Sequence, residues 1–275
     1  MRRIMKNGIQ KYVSFFRLRM TMGLQYRAAA AAGVVTQFAW GFLAILAYHA
    51  FYRSDPSAFP MPLQATVNYI WMQQAFLALF MMWITDNDVF EDIRTGNVAY
   101  ALCRPVNLYA MWFMKNASTR LSRVLLRCAP ILLVALFLPE GYRLTLPQNA
   151  GSFLLFLLSL LFGALVAVAF TVLVYILTFF TTSPQGLRLA VISLSDFFCG
   201  FVIPLPFFPD TLRRICELLP FAAIGNVPLR VYSGDLAGGA ACIAIALQVF
   251  WFVVLVLLGQ FLMQKALRRV VVQGG

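Results

Sequence analysis

The chain alternates between long apolar stretches and shorter polar segments. Six stretches are apolar enough to cross a bilayer, which takes about 20 residues of helix at a rise of 1.5 Å per residue. The pattern therefore predicts an all-α polytopic membrane protein with six transmembrane helices. The spans are predicted at residues 28–51, 63–84, 124–138, 153–180, 189–208 and 240–263.

Two of the predicted spans are irregular. The third is short, and we expect it to extend back through residues 117–123, whose arginines would reach toward the membrane interface. The fifth contains Gly200, Pro204 and Pro206, which interrupt helical hydrogen bonding. Its outer half is therefore predicted to be broken or re-entrant.

Composition excludes an ordinary water-soluble protein. Of the 275 residues, 61% are hydrophobic and 12% are charged, whereas soluble domains carry about 25% charged residues. A net charge of +12 would indicate nucleic-acid binding in a soluble protein, but in a membrane protein it is typical of basic cytoplasmic segments that face anionic lipid. We therefore expect membrane lipids, and not nucleic acid, as partners.

The distribution of Lys and Arg predicts the orientation in the membrane. If the N-terminus is cytoplasmic, 17 of the 22 Lys and Arg residues lie on the cytoplasmic side and five lie outside. The positive-inside rule then predicts an N-in/C-in arrangement. We expect a multi-pass protein of the cell inner (plasma) membrane.

Three segments outside the spans are long enough to have functions of their own. Residues 1–27 carry apolar side chains at helical spacing from Ile9 to Leu24, which predicts a cytoplasmic interfacial helix. Residues 85–123 form a cytoplasmic loop, and residues 204–239 form a proline-rich external segment.

Four carboxylates stand close together at the start of the cytoplasmic loop: Asp86, Asp88, Glu91 and Asp92. Such a cluster is able to hold Mg²⁺ for a membrane transferase acting on a lipid diphosphate. That chemistry usually needs a second acidic cluster, which the sequence lacks, so a solvated helix surface or a contact face for a cytoplasmic partner is favoured and no metal site is predicted. The sequence also lacks a P-loop, so this chain is not expected to bind ATP through one.

Asp196 lies inside the fifth predicted span, about 12 Å beyond Arg188 along a helix. An ionisable group at that depth usually faces the bundle interior or a wet cavity, which makes Asp196 a candidate for a translocation pathway. A buried hydrogen bond to Ser193, Ser195 or a neighbouring helix, or protonation in place, is an equal alternative. Three further pathway candidates, which alternatively supply buried hydrogen bonds, are Gln37, Asn68 and Gln73.

Two stripes of side chains predict how the helices pack. Three arginines follow one another on one helical face before the third span, and we expect contact with lipid headgroups, with Asp196 as a less favoured partner. They are Arg120, Arg123 and Arg127. In the fourth span a small residue occupies every fourth position, which predicts a close helix contact within the chain. These residues are Ser159, Gly163, Ala167 and Thr171.

A family resemblance lies in residues 194–234. There a span ends in a stretch rich in glycine and proline, a short helix follows, and Leu-Pro-Phe, a proline and a glycine come further on. The matching positions are Gly200, Pro204, Pro206, Pro209, Leu212, Leu219, Pro220, Phe221, Pro228 and Gly234. In this block, and in its six spans, basic N-terminal helix and long loop between spans two and three, the chain resembles ABC-2 type permeases, the membrane subunits of ATP-driven exporters.

The resemblance implies that residues 28–275 form a six-span permease domain with no catalysis of its own. A separate cytoplasmic P-loop ATPase would bind ATP and Mg²⁺, and a second permease chain, identical or related, would complete a dimer that exports its substrate by alternating access. The loop would contain a coupling helix that contacts the ATPase. The residues assigned to coupling are Asp86, Asp88, Glu91, Asp92, Arg94, Gly96, Tyr100, Arg104 and Pro105. The external segment would cover the exit side, with Pro204, Pro206, Pro209, Pro220 and Pro228.

Two other classes of protein stay open at this point. A Mg²⁺-dependent membrane transferase would use the acidic loop on a lipid diphosphate. A secondary transporter would couple transport to protons through Asp196.

Overall fold

Every secondary-structure element in the described residues is helical. The computed structural model describes residues 2–147, 149–181 and 183–268, with side chains from residue 9 onward. The α-helices are α1 (Arg2–Leu24), α2 (Arg27–Ser54), α3 (Leu63–Phe80), α4 (Asn87–Thr95), α5 (Val98–Leu102), α6 (Leu108–Leu136), α7 (Ala150–Leu177), α8 (Pro184–Phe198), α9 (Asp210–Leu218), α10 (Pro220–Ile224), α11 (Asn226–Ser233) and α12 (Gly238–Leu267).

Three helical segments in the described part of the chain are long and apolar enough to cross a membrane. They are Arg27–Ser54, Ala150–Phe180 and Gly238–Leu267, which match the first, fourth and sixth predicted spans. The other three predicted spans also coincide with helices, but α3 carries several amides, α6 carries basic residues and α8 has only 15 residues. The membrane-spanning character is therefore confirmed, and the six-span count and the orientation stay predictions.

Two predicted boundaries differ from the helices observed. Helix α6 begins at Leu108, where the Asn107 side chain accepts a hydrogen bond from the Ala110 amide at 2.9 Å, so residues 108–123 belong to this helix and not to the loop. The predicted extension through residues 117–123 is thus correct but too short. Helix α8 ends at Phe198, and Gly200 then adopts a φ of +76°, so the predicted interruption of the fifth span is observed.

Helix α3 lies at the centre of the bundle and is almost completely buried. It contacts α2, α6, α7 and α11, and the large side chains Tyr69, Trp71 and Phe80 are inaccessible to solvent. Because other helices surround α3, three of its amide side chains, Gln64, Asn68 and Gln73, have hydrogen-bond partners within the protein. The polar residues that lower the hydropathy of this predicted span therefore do not need to face lipid.

The external segment folds back against the bundle. Helices α10 and α11 pack on α7, and α11 also contacts α3. The Tyr69 hydroxyl donates to the Gly200 carbonyl at 3.2 Å, and the Gln73 amide donates to the Phe201 carbonyl at 3.0 Å. These bonds fix the break after α8, and α10 and α11 are mostly buried; the re-entry of this segment into the membrane stays a prediction.

The small-residue stripe of α7 makes contacts within the chain, as predicted. All four of its residues are buried. At Gly163, an added Cβ would lie 2.4 Å from the carbonyl oxygen of Ile224, so only glycine lets α10 approach α7 this closely. The Ser159 hydroxyl donates to Gln248 of α12 at 2.9 Å.

We predict that Gly163→Ala lowers stability by about 1–3 kcal/mol, because its Cβ collides with backbone that has little room to move. Thermal unfolding in detergent, followed by tryptophan fluorescence, measures the change. Gly239→Ala is the matched control, since an added Cβ there meets no atom within 4 Å. Equal melting of the two variants would contradict the packing role of Gly163.

Candidate functional site

The acidic start of the cytoplasmic loop is anchored to the bundle by Asp86. This residue caps α4, since its Oδ1 accepts the Asp88 amide hydrogen at 3.1 Å. Its Oδ2 lies 2.6 Å from Nζ of Lys115 on α6, and its own amide donates to the Tyr175 hydroxyl on α7 at 2.7 Å. Helix α4 is therefore tied at its first turn to two long helices. Asp88, whose side chain is mostly exposed, lies 3.8 Å from the same Lys115.

A buried arginine holds the turn that leads into α4. The Arg120 side chain is 1% exposed, and its Nη1 donates to the carbonyls of Leu79 and Met81, each at 2.9 Å. Its Nε donates to Asn116 at 2.7 Å, and its Nη2 donates to Thr171 at 2.8 Å. A cation at the C-terminal carbonyls of α3 satisfies groups that no helical amide reaches. The predicted lipid contact is therefore wrong for Arg120, and so is a pairing with Asp196.

Helix α4 has one buried and one exposed face. Val89 and Phe90 are buried, with the Phe90 ring 5.1 Å from that of Tyr175. On the exposed face the Arg94 guanidinium donates to both carboxylate oxygens of Glu91, at 2.5 and 2.9 Å, and this hydrogen bonding lowers the pKa of the Glu91 carboxyl. Asp92 is also exposed. The exposed face is thus charged and accessible to a partner.

The end of the loop is held by α1. Gly96 ends α4 with a φ of +76°, and Tyr100, on α5, is 76% exposed. Arg104 and Pro105 are exposed as well. The Pro105 carbonyl accepts from Nζ of Lys11 at 2.5 Å, and the Asn107 amide donates to the Tyr12 hydroxyl at 2.8 Å. Helix α1 packs along α6, so both ends of the loop are fixed to the bundle.

A groove of about 690 Å³ runs between α4 and the beginning of α8. Its walls include Phe90, Glu91, Arg94, Pro184 and Arg188. Arg188 closes one side, since its Nη1 donates to Asn87 at 2.8 Å and its guanidinium lies 5.8 Å from the centre of the Phe90 ring. Sequence reasoning missed this wall. The available signal was that Arg188 is a basic residue at the start of the fifth predicted span.

The four pathway candidates do not share one contact. Gln37 donates to the Gln74 carbonyl at 3.0 Å, Asn68 donates to the Thr145 hydroxyl at 2.7 Å, and Gln73 donates to the Phe201 carbonyl at 3.0 Å. Asp196 has no such bond: its Oδ1 is buried without a hydrogen-bond partner among the described residues. Ser195 Oγ is also unpaired, so the predicted bond between these two side chains is not formed.

The five prolines of the external segment mark helix boundaries and buried contacts. Pro204 and Pro209 precede a short 3₁₀ turn and α9, Pro220 begins α10, and Pro206 and Pro228 are buried. A proline at the first position of a helix has no amide hydrogen to leave unsatisfied.

Together these features define a helical membrane protein with a charged helix presented at one end of its bundle. Among known families, the one described as ABC-2 family transporter protein matches residues 36–274. The match covers most of the chain, so the chain belongs to this family and is a permease, the membrane component of a transporter. The resemblance drawn from residues 194–234 is confirmed. A comparison with curated proteins gave no match.

We predict that Arg120→Ala destabilises the protein by about 3 kcal/mol, because several buried acceptors lose a charged donor. The stability of Arg120→Lys should lie between that of the unaltered protein and that of Arg120→Ala, since an ammonium cannot reach acceptors on α3, α6 and α7 together. Thermal unfolding in detergent measures both changes. Arg214→Ala, at an exposed position of α9, is the control and should stay within about 0.5 kcal/mol. An Arg120→Ala variant as stable as this control would refute the anchoring role.

Proposed function

We propose that the chain is the membrane-spanning subunit of an ABC-2 type exporter that works with a separate cytoplasmic ATPase. The ATPase would bind ATP and Mg²⁺, and alternating access of the permease would carry the substrate out of the cytoplasm. The observation that carries the proposal is the exposed charged face of α4 beside the groove to α8, in a chain of the ABC-2 transporter family. The charge distribution supports the proposed orientation, with both termini cytoplasmic, and we propose the inner (plasma) membrane as the location.

The proposed ATPase contact is centred on α4. Glu91, Asp92 and Arg94 offer charges to a partner, and Phe90 with Pro184 offers an apolar floor to the groove. Tyr100 and Arg104 extend this surface on the α5 side. Mixed charge around an apolar centre is typical of protein interfaces.

Movement of α4 would reach the membrane helices through its anchors. The Asp86–Lys115 ion pair leads to α6, the bond to Tyr175 leads to α7, and Arg120 links both helices to the end of α3. Since buried contacts of this kind resist deformation, a displacement of α4 would move these helices together. This is our proposed route from ATP hydrolysis to transport.

A second permease chain would complete the translocation pathway. Helix α8 packs less than the other long helices, and Leu189, Leu194 and Phe197 on it are exposed. We propose that α8 and Asp196 face the pathway or the second chain. Gln37, Asn68 and Gln73 would join the pathway only in a conformation that breaks their present hydrogen bonds.

The transferase alternative is not favoured. Asp86 and Asp88 both lie within ion-pair distance of Lys115, and Glu91 pairs with Arg94, so three of the four carboxylates already have a cation. Among the described residues, no group of three metal-ligating side chains has the geometry of a metal site.

Isolation of the tagged chain from its native membrane, followed by mass spectrometry, tests the proposed function. We expect a P-loop ATPase to be recovered, and the double variant Glu91→Arg, Asp92→Arg to recover at least tenfold less of it, because like charges across an interface cost several kcal/mol. Glu140→Arg, an exposed change outside the loop, is the control. Recovery of an active chain without any ATPase would refute the proposal.

The anchoring of α4 to α6 is tested separately by substituting two aspartates at the start of α4, Asp86 and Asp88. Asp86→Asn should lower stability by about 2 kcal/mol and reduce transport, because Lys115 loses its close partner and α4 its link to α6. Asp88→Asn changes the same charge at an exposed position and should stay within about 0.5 kcal/mol. Thermal unfolding and a transport assay in vesicles compare the two. Equal effects would show that the charge, and not the anchor, matters.

A further inference from the structure

A cavity of about 420 Å³ lies where the corner between α1 and α2 meets α6. It is separate from the groove beside α4 and has no role in the proposed ATPase contact. One part of its wall is apolar, with Met22, Ala29 and Leu126, and the other part carries three arginines. These arginines are Arg19, Arg123 and Arg127.

The arginines of this cavity have no acidic partner. None of the three forms an ion pair with a carboxylate in the residues that the structure describes, and no acidic residue lines the cavity. The Nε of Arg127 is buried and donates to no acceptor. Grouped cations with an unsatisfied buried donor are unfavourable unless an anion joins them. Arg120 lies about two turns before Arg127 on α6 and shows the opposite state, with its donors satisfied by protein oxygens.

Two glycines shape the cavity. A Cβ at Gly33 of α2 would lie 2.4 Å from Cζ of Arg127, and a Cβ at Gly23 of α1 would lie 2.3 Å from Oγ of Ser122. A side chain at either position would therefore have to displace the Arg127 guanidinium or the Ser122 side chain from its present place. Ala29 belongs to the first turn of α2, which has no side-chain cap and no acidic residue. The positive end of this 28-residue helix thus adds to the field of the arginines.

The cavity lies where the polar parts of two helices become apolar. Helix α2 is apolar immediately after Arg27, and α6 becomes apolar after Arg127. Such a transition is typical of the headgroup level of a bilayer, and the charge distribution predicts that this side is cytoplasmic, where anionic lipids attract basic residues.

We propose that this cavity binds the phosphate headgroup of an anionic phospholipid, with the arginines around the phosphate and an acyl chain along Met22, Ala29 and Leu126. The bound lipid would fasten α1 to α2 and α6. The proposal does not depend on the ATPase, since it concerns a different surface of the permease.

Native mass spectrometry of the purified full chain tests the proposal with phosphatidylglycerol and with phosphatidylcholine of the same acyl chains. We expect phosphatidylglycerol to bind more tightly, and Arg123→Gln and Arg127→Gln each to weaken its binding about fivefold, as expected for one basic residue near an anionic lipid. Arg53→Gln, at the other end of α2, is the matched control. Equal loss in Arg53→Gln would overturn the proposal, because it would indicate attraction by net charge alone.

Two further experiments test whether the lipid binds inside the cavity and whether the ligand is a lipid or a free anion. Ala29→Trp fills the space and keeps all three arginines, so it should also weaken phosphatidylglycerol binding; unchanged binding would overturn the proposal. Inorganic phosphate should not displace the lipid, and displacement at millimolar phosphate would assign the site to a free anion instead. Size-exclusion profiles and thermal unfolding verify that each variant is folded. If Arg127→Gln does not fold, Arg127→Lys replaces it; this variant keeps the charge and should retain part of the phosphatidylglycerol binding.

Discussion

The structure depends on how the C-terminal end of α3 is satisfied inside the bundle. Helix α3 is surrounded by other helices, so its last carbonyls have no water to bind, and an unsatisfied buried carbonyl is costly. Arg120 provides the donors from α6 and also bonds to Thr171 of α7. One side chain thus joins the C-terminal end of α3 to α6 and α7. The cost of burying its charge is offset by hydrogen bonds from all three of its guanidinium nitrogens.

The position of the loop that contains α4 follows from this arrangement. The chain turns at Met81, whose carbonyl is one of the Arg120 acceptors, and reaches Asp86 within a few residues. Asp86 then caps α4 and pairs with Lys115 on α6, and its amide donates to Tyr175 on α7. The first turn of α4 is therefore positioned by α6 and α7, the helices that Arg120 also connects. A helix with a rigid base and a charged exposed face is suited to transmit force from a partner, which is the role we propose for it.

The arginines of α6 show how neighbouring positions on one face acquire different roles. Arg120 lies deep between helices and is saturated by carbonyls, whereas Arg127 lies against Gly33 with an unpaired Nε and Arg123 lines an open cavity. The difference arises because α1 and α2 leave a cavity beside Arg123 and Arg127. An anionic ligand in the cavity would accept hydrogen bonds from Arg123 and Arg127, as backbone carbonyl oxygens accept them from Arg120.

Much of the architecture could be predicted from the sequence, because length, apolar composition and helix-breaking residues act locally. The three most apolar spans, the break at Gly200, a charged helix in the loop and the small-residue contact of α7 are of this kind, and residues 194–234 indicated the family. What only the tertiary structure decided depends on partners distant in sequence: the burial of Arg120, the interior position of the α3 amides and the Arg188 wall of the groove. The early start of α6 was missed although its cap, Asn107, is a local signal. Periodicity tells which residues share a face of a helix, but the neighbour that covers that face, and therefore whether an arginine meets lipid or a carbonyl, is fixed only when the helices pack.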